Sequence, residues 1–211
     1  ASTEAVRETA SEVLKYKGNI VTTYYYSTSC GKTTTMKAWG TSENESNGYL
    51  QSVEVKDKNG DYEKSLPWYR WETDIDQDIL STLLAENVKK NIGTVQSLEV
   101  TKTGPGGVAL QIKAVGDKGS ITVDTENKIR KALGGNGYEI KKQDGTVAQS
   151  GTLLPSAFFK VKKAGNIFKI TGGGYGHGIG MSQNGANEMA KKGKNYQEIL
   201  QMFYPGTTIE K

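Results

Sequence analysis

The chain has 211 residues, a net charge of +4, 26 glycines, one cysteine and one histidine. That length supports one domain or two small ones with a buried core. The single cysteine excludes an internal disulfide, and one Cys with one His excludes an all-protein Cys₄ or Cys₂His₂ zinc site. The positive charge is nearly all lysine. The arginines Arg7, Arg70 and Arg130 are far apart, without the clustered, aromatic-interleaved pattern of a nucleic-acid reader, so no nucleic-acid partner is expected. A weak affinity for an anionic polymer fits the charge. No apolar run is long enough to cross a bilayer or to serve as a signal-peptide core.

In chain order, residues 2–9 read as a helical turn. Residues 12–16 and 20–26 flank Lys17-Gly18-Asn19, a hairpin signal. The second strand runs into a hydroxyl-rich loop, residues 27–33. Residues 49–55 read as a strand, 56–60 as a turn, and 67–72 as an aromatic strand. Asp76 caps a predicted helix with Ile79, Leu80, Leu83, Leu84 and Val88 on one face, closed by Gly93. Residues 95–101, 108–115 and 120–123 are predicted strands separated by glycine turns. A short helix over 125–133 precedes strands at 138–142, 158–161 and 167–171. Two helices follow: one over 182–192, and one opened by the capping box Asn195…Glu198. Residues 207–209 are a predicted closing edge strand. Short strands with isolated helices predict an α+β fold with a mixed, partly barrel-like antiparallel sheet.

The densest glycine run, residues 172–180, carries the only histidine, His177. Glycine allows positive φ and close approach. His177 there is either a proton-transfer or hydrogen-bonding group, or a residue bonded to backbone that holds a tight loop. Ser182 can cap the following helix, turning amide N–H groups toward the glycine loop. The run is no dinucleotide fingerprint, and Gly31-Lys32-Thr33 lacks the leading glycine of a phosphate loop. Ser27, Ser29 and Cys30 are candidate nucleophiles with His177 as base, although a hydroxyl-rich turn that packs is the simpler reading. A Cys30–His177 metal pair needs carboxylates or water to complete its shell. Glu72 and Asp74 follow an aromatic strand, where a carboxyl can gain acid character, but a core strand with exposed acids at its end is the favoured reading. Arg130 is a candidate ligand clamp or a surface charge.

Residues 174–186 (GYGHGIGMSQNGA), then Ala190, Gly193, Tyr196, Glu198-Ile199-Leu200 and Phe203-Tyr204-Pro205-Gly206, carry a resemblance that covers nearly the whole chain. Residues 26–33 (YSTSCGKT), 67–71 (PWYRW) and 154–159 (LPSAFF) extend it. The sequence resembles the stage II sporulation protein D family, which includes the amidase enhancers. That resemblance implies extracytoplasmic work on peptidoglycan in sporulation or cell-wall remodelling. Sporulation members are lytic transglycosylases that cut glycan strands stripped of stem peptides and leave a 1,6-anhydro end. A glutamate in that chemistry acts as acid and then as base. The family's glutamate lies ahead of the segment matched by residues 5–9, so no acid of this chain is given that role, and a truncated protein is expected. The alternative is a non-catalytic, wall-binding enhancer of an N-acetylmuramoyl-L-alanine amidase. Implied partners are glycan strands, with an amidase or other engulfment proteins.

The sequence thus predicts one peptidoglycan-acting domain over residues 1–211, with any membrane anchor outside it. A groove between residues 27–33 and 172–183 is expected to bind glycan. His177, Tyr175, Ser27, Ser29, Ser182 and Gln183 are the expected contacts, with Arg130 beside them. No cofactor is required, and zinc at Cys30 and His177 is the one metal candidate.

Overall fold

The structure is a computed structural model and describes residues 2–211. Helix α1 (Ser2–Glu8) leads into β1 (Val13–Tyr16), which pairs antiparallel with β2 (Asn19–Ile20). The two connecting residues, Lys17 and Gly18, have φ of 50° and 80°. Two left-handed residues make the mirror-image turn that matches strand twist. The predicted second strand is shorter than expected. It ends at Ile20, and β3 (Tyr25–Tyr26) is a separate two-residue strand.

The expected turn at 56–60 is the tip of a small hairpin, β4 (Lys56–Asp57) with β5 (Gly60–Asp61). Residues 49–55, expected as a strand, are held by single bonds instead: Thr33 N donates to Val53 O and Val55 N to Gly31 O, each at 2.9 Å. Proline fixes φ and lacks an N–H. Pro67 accordingly opens a 3₁₀ turn, Pro67–Tyr69, and the aromatic strand begins only at Trp71, as β6 (Trp71–Asp76). Trp71, Thr73 and Ile75 of β6 point inward. Helix α2 (Gln77–Val88) starts where Asp76 accepts from Asp78 N at 2.8 Å, and it buries Leu80, Leu83 and Leu84. It closes on Lys89 at φ 59°, four residues before the expected Gly93.

Strands β7 (Val95–Thr103), β8 (Ala109–Gly116) and β9 (Gly119–Asp124) form an antiparallel meander, and α3 (Glu126–Leu133) packs on β8 and β9. Next come β10 (Glu139–Lys142), β11 (Val147–Gln149), β12 (Phe159–Ala164) and β13 (Ile167–Gly172). With β6 they make a five-stranded antiparallel sheet in the order β11-β10-β6-β13-β12. Gly172 lies opposite Trp71, so β13 delivers the chain into the glycine loop beside the tryptophan. Then follow β14 (Met181–Ser182), α4 (Gln183–Lys191), α5 (Tyr196–Phe203) with its Asn195/Glu198 capping box, and β15 (Thr208–Glu210). β15 pairs with β1 as an edge, as expected.

The α+β class is as predicted, but the strands fall into five small sheets, and none closes into a barrel among the described residues. One buried apolar cluster runs from Ala38 to Tyr204. No helix among the described residues is long and apolar enough to cross a membrane.

Arg130 belongs to this interior. Its guanidinium donates to Glu126 Oε1 at 2.8 Å and to Leu154 O at 2.7 Å, and Trp39 Nε1 donates to Glu126 Oε2 at 3.2 Å. Arg130 is 8% exposed and Glu126 is sealed. Arg130, expected beside the glycan contacts, is thus a buried partner of Glu126 on its own helix, with a second bond to the chain at Leu154, and Glu126 in turn holds Trp39. Removing one partner of a buried ion pair strands the other. Arg130→Leu should cost about 3–5 kcal/mol of unfolding free energy in urea titration, whereas Lys128→Leu on the exposed face should change it by less than about 0.5 kcal/mol.

Candidate functional site

The parallel pair β3–β14 sets Met181 against Tyr25 and Ser182 against Tyr26, and so brings two loops distant in sequence into contact. Backbone bonds finish the seam. Thr28 and Tyr175 exchange N–H···O bonds at 3.1 and 2.8 Å, Thr34 N donates to Gly178 O at 2.7 Å, and Asn184 N donates to Ser27 O at 3.0 Å. The close approach requires glycine. At Gly180, φ is 74°, and a Cβ there would overlap the Tyr24 carbonyl.

His177 is held by this seam. Nε2–H donates to Tyr25 O at 2.9 Å, and Nδ1 accepts from Ile179 N at 3.1 Å. Both ring nitrogens are used, and the pattern selects the neutral tautomer with its proton on Nε2. The ring lies between Tyr26 and Trp39, with centroids 5.5 and 5.1 Å away. Burial pushes the imidazole pKa down, against a smaller opposing pull from the Glu126 charge. Of the two sequence readings, the geometry is that of a histidine locking a loop. It makes no bond to Ser29 or Cys30, so a Ser or Cys nucleophile with His177 as base is not assembled.

The centre of the site is a residue that the sequence did not single out. Glu63 is sealed from solvent. Its Oε1 accepts from Ser29 N at 2.9 Å and from Ser182 Oγ at 2.7 Å, and its Oε2 accepts from Ser29 Oγ. Ser29 Oγ in turn accepts from Gly31 N at 3.2 Å, and Ser182 Oγ caps α4 through Gly185 N at 3.2 Å. The carboxyl lies against the first turn of α4, because Gly185 has no Cβ: one built there would sit 2.9 Å from Oε2. Helix N-termini favour negative charge. Burial still pushes the Glu63 pKa upward, partly offset by the hydrogen bonds from Ser29 and Ser182. No local pattern marks Glu63 in sequence, since it stands in an ordinary polar stretch between Asp61 and Lys64.

The expected contacts therefore separate. Ser29 and Ser182 are buried and committed to Glu63. Ser27 is half-buried, with its Oγ 3.2 Å from Thr28 Oγ1. Gln183 is exposed at the start of α4. Tyr175 is 42% exposed and packs on Trp68 at 4.8 Å.

The open cleft, about 540 Å³, lies at the far ends of the two loops, by Cys30–Lys32 and Gly172–Gly173. Of the expected site residues, Cys30 alone lines it. Lys32, Lys56, Lys160 and Arg70 face it, against Glu54 and Asp61, with Phe158 and Phe159 as apolar wall. Lys56 and Lys32 flank Glu54 at 2.5 and 3.4 Å and hold its carboxyl below the usual range. Asp61 accepts from Tyr69 Oη, and one Arg70 nitrogen donates to Cys30 O at 2.9 Å and Tyr69 O at 2.7 Å. Burial pushes the Cys30 thiol pKa up. Among the described residues no three His, Cys, Asp or Glu side chains converge on one point, and His177 has no free nitrogen. The residues present do not fit zinc.

Glu63→Ala strands the Ser29 amide and two hydroxyls, and should cost about 3–5 kcal/mol in urea titration. Glu63→Gln keeps an acceptor and should cost much less. The raised Glu63 pKa means that ionisation is harder in the folded state. Wild type should therefore lose stability relative to Glu63→Gln as pH rises from the ordinary carboxylate value through the folded one. His177 has the opposite sign. Its lowered pKa means that the unfolded chain protonates first. Wild type should lose stability relative to His177→Gln as pH falls below about 6.5, read as midpoint shifts across pH.

A family model described as "Domain of unknown function (DUF8618)" matches residues 35–180. Stage II sporulation protein D of Bacillus subtilis (strain 168) is 30% identical over 98% of this chain and 50% of its own length. The amidase enhancer of the same organism is 28% identical over 98% of this chain and 32% of its own length. The stage II sporulation protein D of Bacillus amyloliquefaciens is 28% identical over the same shares as its subtilis counterpart. The chain thus spans half or less of the length of these curated relatives. The chain belongs to the DUF8618 family, and its similarity to these relatives over nearly its whole length supports the stage II sporulation protein D family.

Proposed function

We propose that this chain grips peptidoglycan glycan outside the cytoplasm, as the sugar-binding part of a lytic transglycosylase acting on strands free of stem peptides. The observation that carries this reading is the composition of the 540 Å³ cleft. Four cations stand against two carboxylates there, beside two phenylalanine edges. A stripped muramyl residue carries a lactyl carboxylate and an acetyl methyl. A cationic cleft with an apolar wall suits both. Lys160 is exposed on β12 and makes no ion pair among the described residues, which leaves its charge for a ligand.

Transglycosylation needs a carboxyl that holds a proton near neutral pH. Glu54 in the cleft is kept ionised by its lysines, and Glu63, the carboxyl with a raised pKa, is sealed behind Ser29. The cleft residues are therefore assigned binding, and neither Glu54 nor Glu63 is assigned the proton transfer. The same observation favours a second reading, in which the chain is a wall-binding enhancer of a separate amidase.

The test uses stem-peptide-free glycan strands. Binding should be saturable and should weaken about tenfold, or 1.4 kcal/mol, in Lys160→Glu, and it should fall with added salt. Carboxyl-reduced strands should bind less tightly. Equal binding of both strand types, or of wild type and Lys160→Glu, would overturn the cleft assignment. Anhydro-muramyl ends, sought by mass spectrometry with this chain and with a version carrying its upstream sequence, separate the readings. Cleavage by the longer version supports the transglycosylase, and binding without cleavage by either supports the enhancer.

A further inference from the structure

A second cavity, about 680 Å³, lies elsewhere on the molecule and shares no lining residue with the charged cleft. It is bounded by the β1–β2 hairpin, residues 21–24, and the loop 41–50. We propose that it is a binding site for an uncharged oligosaccharide.

The chemistry of its wall carries the inference. Tyr16, Tyr24 and Tyr49 line it. Their rings are fixed by neighbours: Tyr16 on Tyr49 at 5.5 Å, Tyr24 edge-on to Trp39 at 5.1 Å, and Tyr49 beside Tyr204 at 6.3 Å. Tyr49 Oη is spent on Thr22 O at 2.8 Å. The hydroxyls of Tyr16 and Tyr24 donate to no group among the described residues, although both side chains are half-buried. Rings that are held in place and carry unspent hydroxyls present an apolar face and a polar edge at little entropic cost, which is what a pyranose ring matches.

On the 41–50 side the rim is polar and already ordered. Asn44 N donates to Asn47 Oδ1 at 2.9 Å, Asn47 Nδ2 donates to Ser42 O at 3.0 Å, and Ser46 Oγ donates to Asn44 Oδ1 at 2.7 Å. The loop is thus folded on itself before any ligand arrives. Two charges border the cavity, Lys17 and Glu45, and they face each other at 3.6 Å. The lining charges therefore cancel in number, in contrast with the cleft at Lys160. This composition disfavours phosphates, acidic polymers and peptides with charged side chains. The volume lies within the range of small-ligand sites. The inference does not rest on the reading of the charged cleft.

The probe is chitotetraose, an uncharged tetrasaccharide, titrated into the chain by calorimetry. Saturable binding is expected. Tyr16→Phe, which removes one hydroxyl, should weaken it several-fold. Thr41→Trp, at an exposed position on the rim, should weaken it at least about tenfold by filling the mouth. Lys160→Glu should leave it within about twofold. Thermal melts establish that each variant is folded, and Tyr16→Phe alone decides the matter if Thr41→Trp is not. Absence of saturable binding up to about 5 mM, a dissociation constant worth only about 3 kcal/mol, would overturn the proposal. So would binding that Lys160→Glu abolishes and the cavity variants leave intact, because that places the sugar in the charged cleft.

Discussion

One buried carboxyl joins three parts of this chain that are far apart in sequence. Glu63 receives the Ser29 amide and hydroxyl from one loop and the Ser182 hydroxyl from the start of α4. A buried carboxylate without hydrogen bonds would be prohibitively costly. Here three donors and the helix terminus behind Gly185 offset part of that cost. The arrangement fixes where the 27–33 loop can lie, and the glycine loop is then stitched to it by Thr28, Thr34 and Asn184. His177 closes the seam from the other side by bonding Tyr25 O and Ile179 N. Ser29, Ser182 and the sole histidine thus hold the frame of the site.

That frame explains where the open surface is. With Ser29 and Ser182 turned inward, the loops present their far ends, Cys30–Lys32 and Gly172–Gly173, to solvent. Trp71 on β6 donates to Gly174 O at 3.0 Å and pins the mouth of the glycine loop to the central sheet. The sheet's edge strand β12 then contributes Lys160 and Phe159. The charged cleft is a product of the whole architecture, while the neutral tyrosine-lined cavity is built locally from the N-terminal hairpin and the 41–50 loop.

The legible parts of the sequence were those governed by local rules. The capped helices at Asp76, Ser182 and Asn195, the hairpin at Lys17-Gly18 and the 95–124 meander follow from short-range chemistry, and the structure has them. Residues 49–55 misled because their apolar pattern serves packing of Tyr49, Leu50 and Val55 in the core, without a neighbouring strand to pair with. Pro67 moved the start of β6 by local sterics that were readable in principle. That the two loops would meet could be anticipated from their glycine and hydroxyl content, but which atoms would be consumed by the meeting could not. Glu63 is the reason. A single acid with no periodic or motif signature acquires its role only through contacts 34 and 119 residues away. Arg130 was ambiguous for a related reason, since its partner Glu126 is an ordinary i, i+4 neighbour until Trp39 and Leu154 bury the pair.

The most direct test of this account is a double-mutant cycle between Ser29→Ala and Ser182→Ala, read by urea unfolding. The two residues belong to different loops and are linked through Glu63. The account predicts a coupling energy of about 0.5–3 kcal/mol, lost when the cycle is repeated in a Glu63→Ala background. Additivity within about 0.3 kcal/mol in the wild-type background would contradict it, because the two serines would then be independent and the carboxyl would not be what joins the loops.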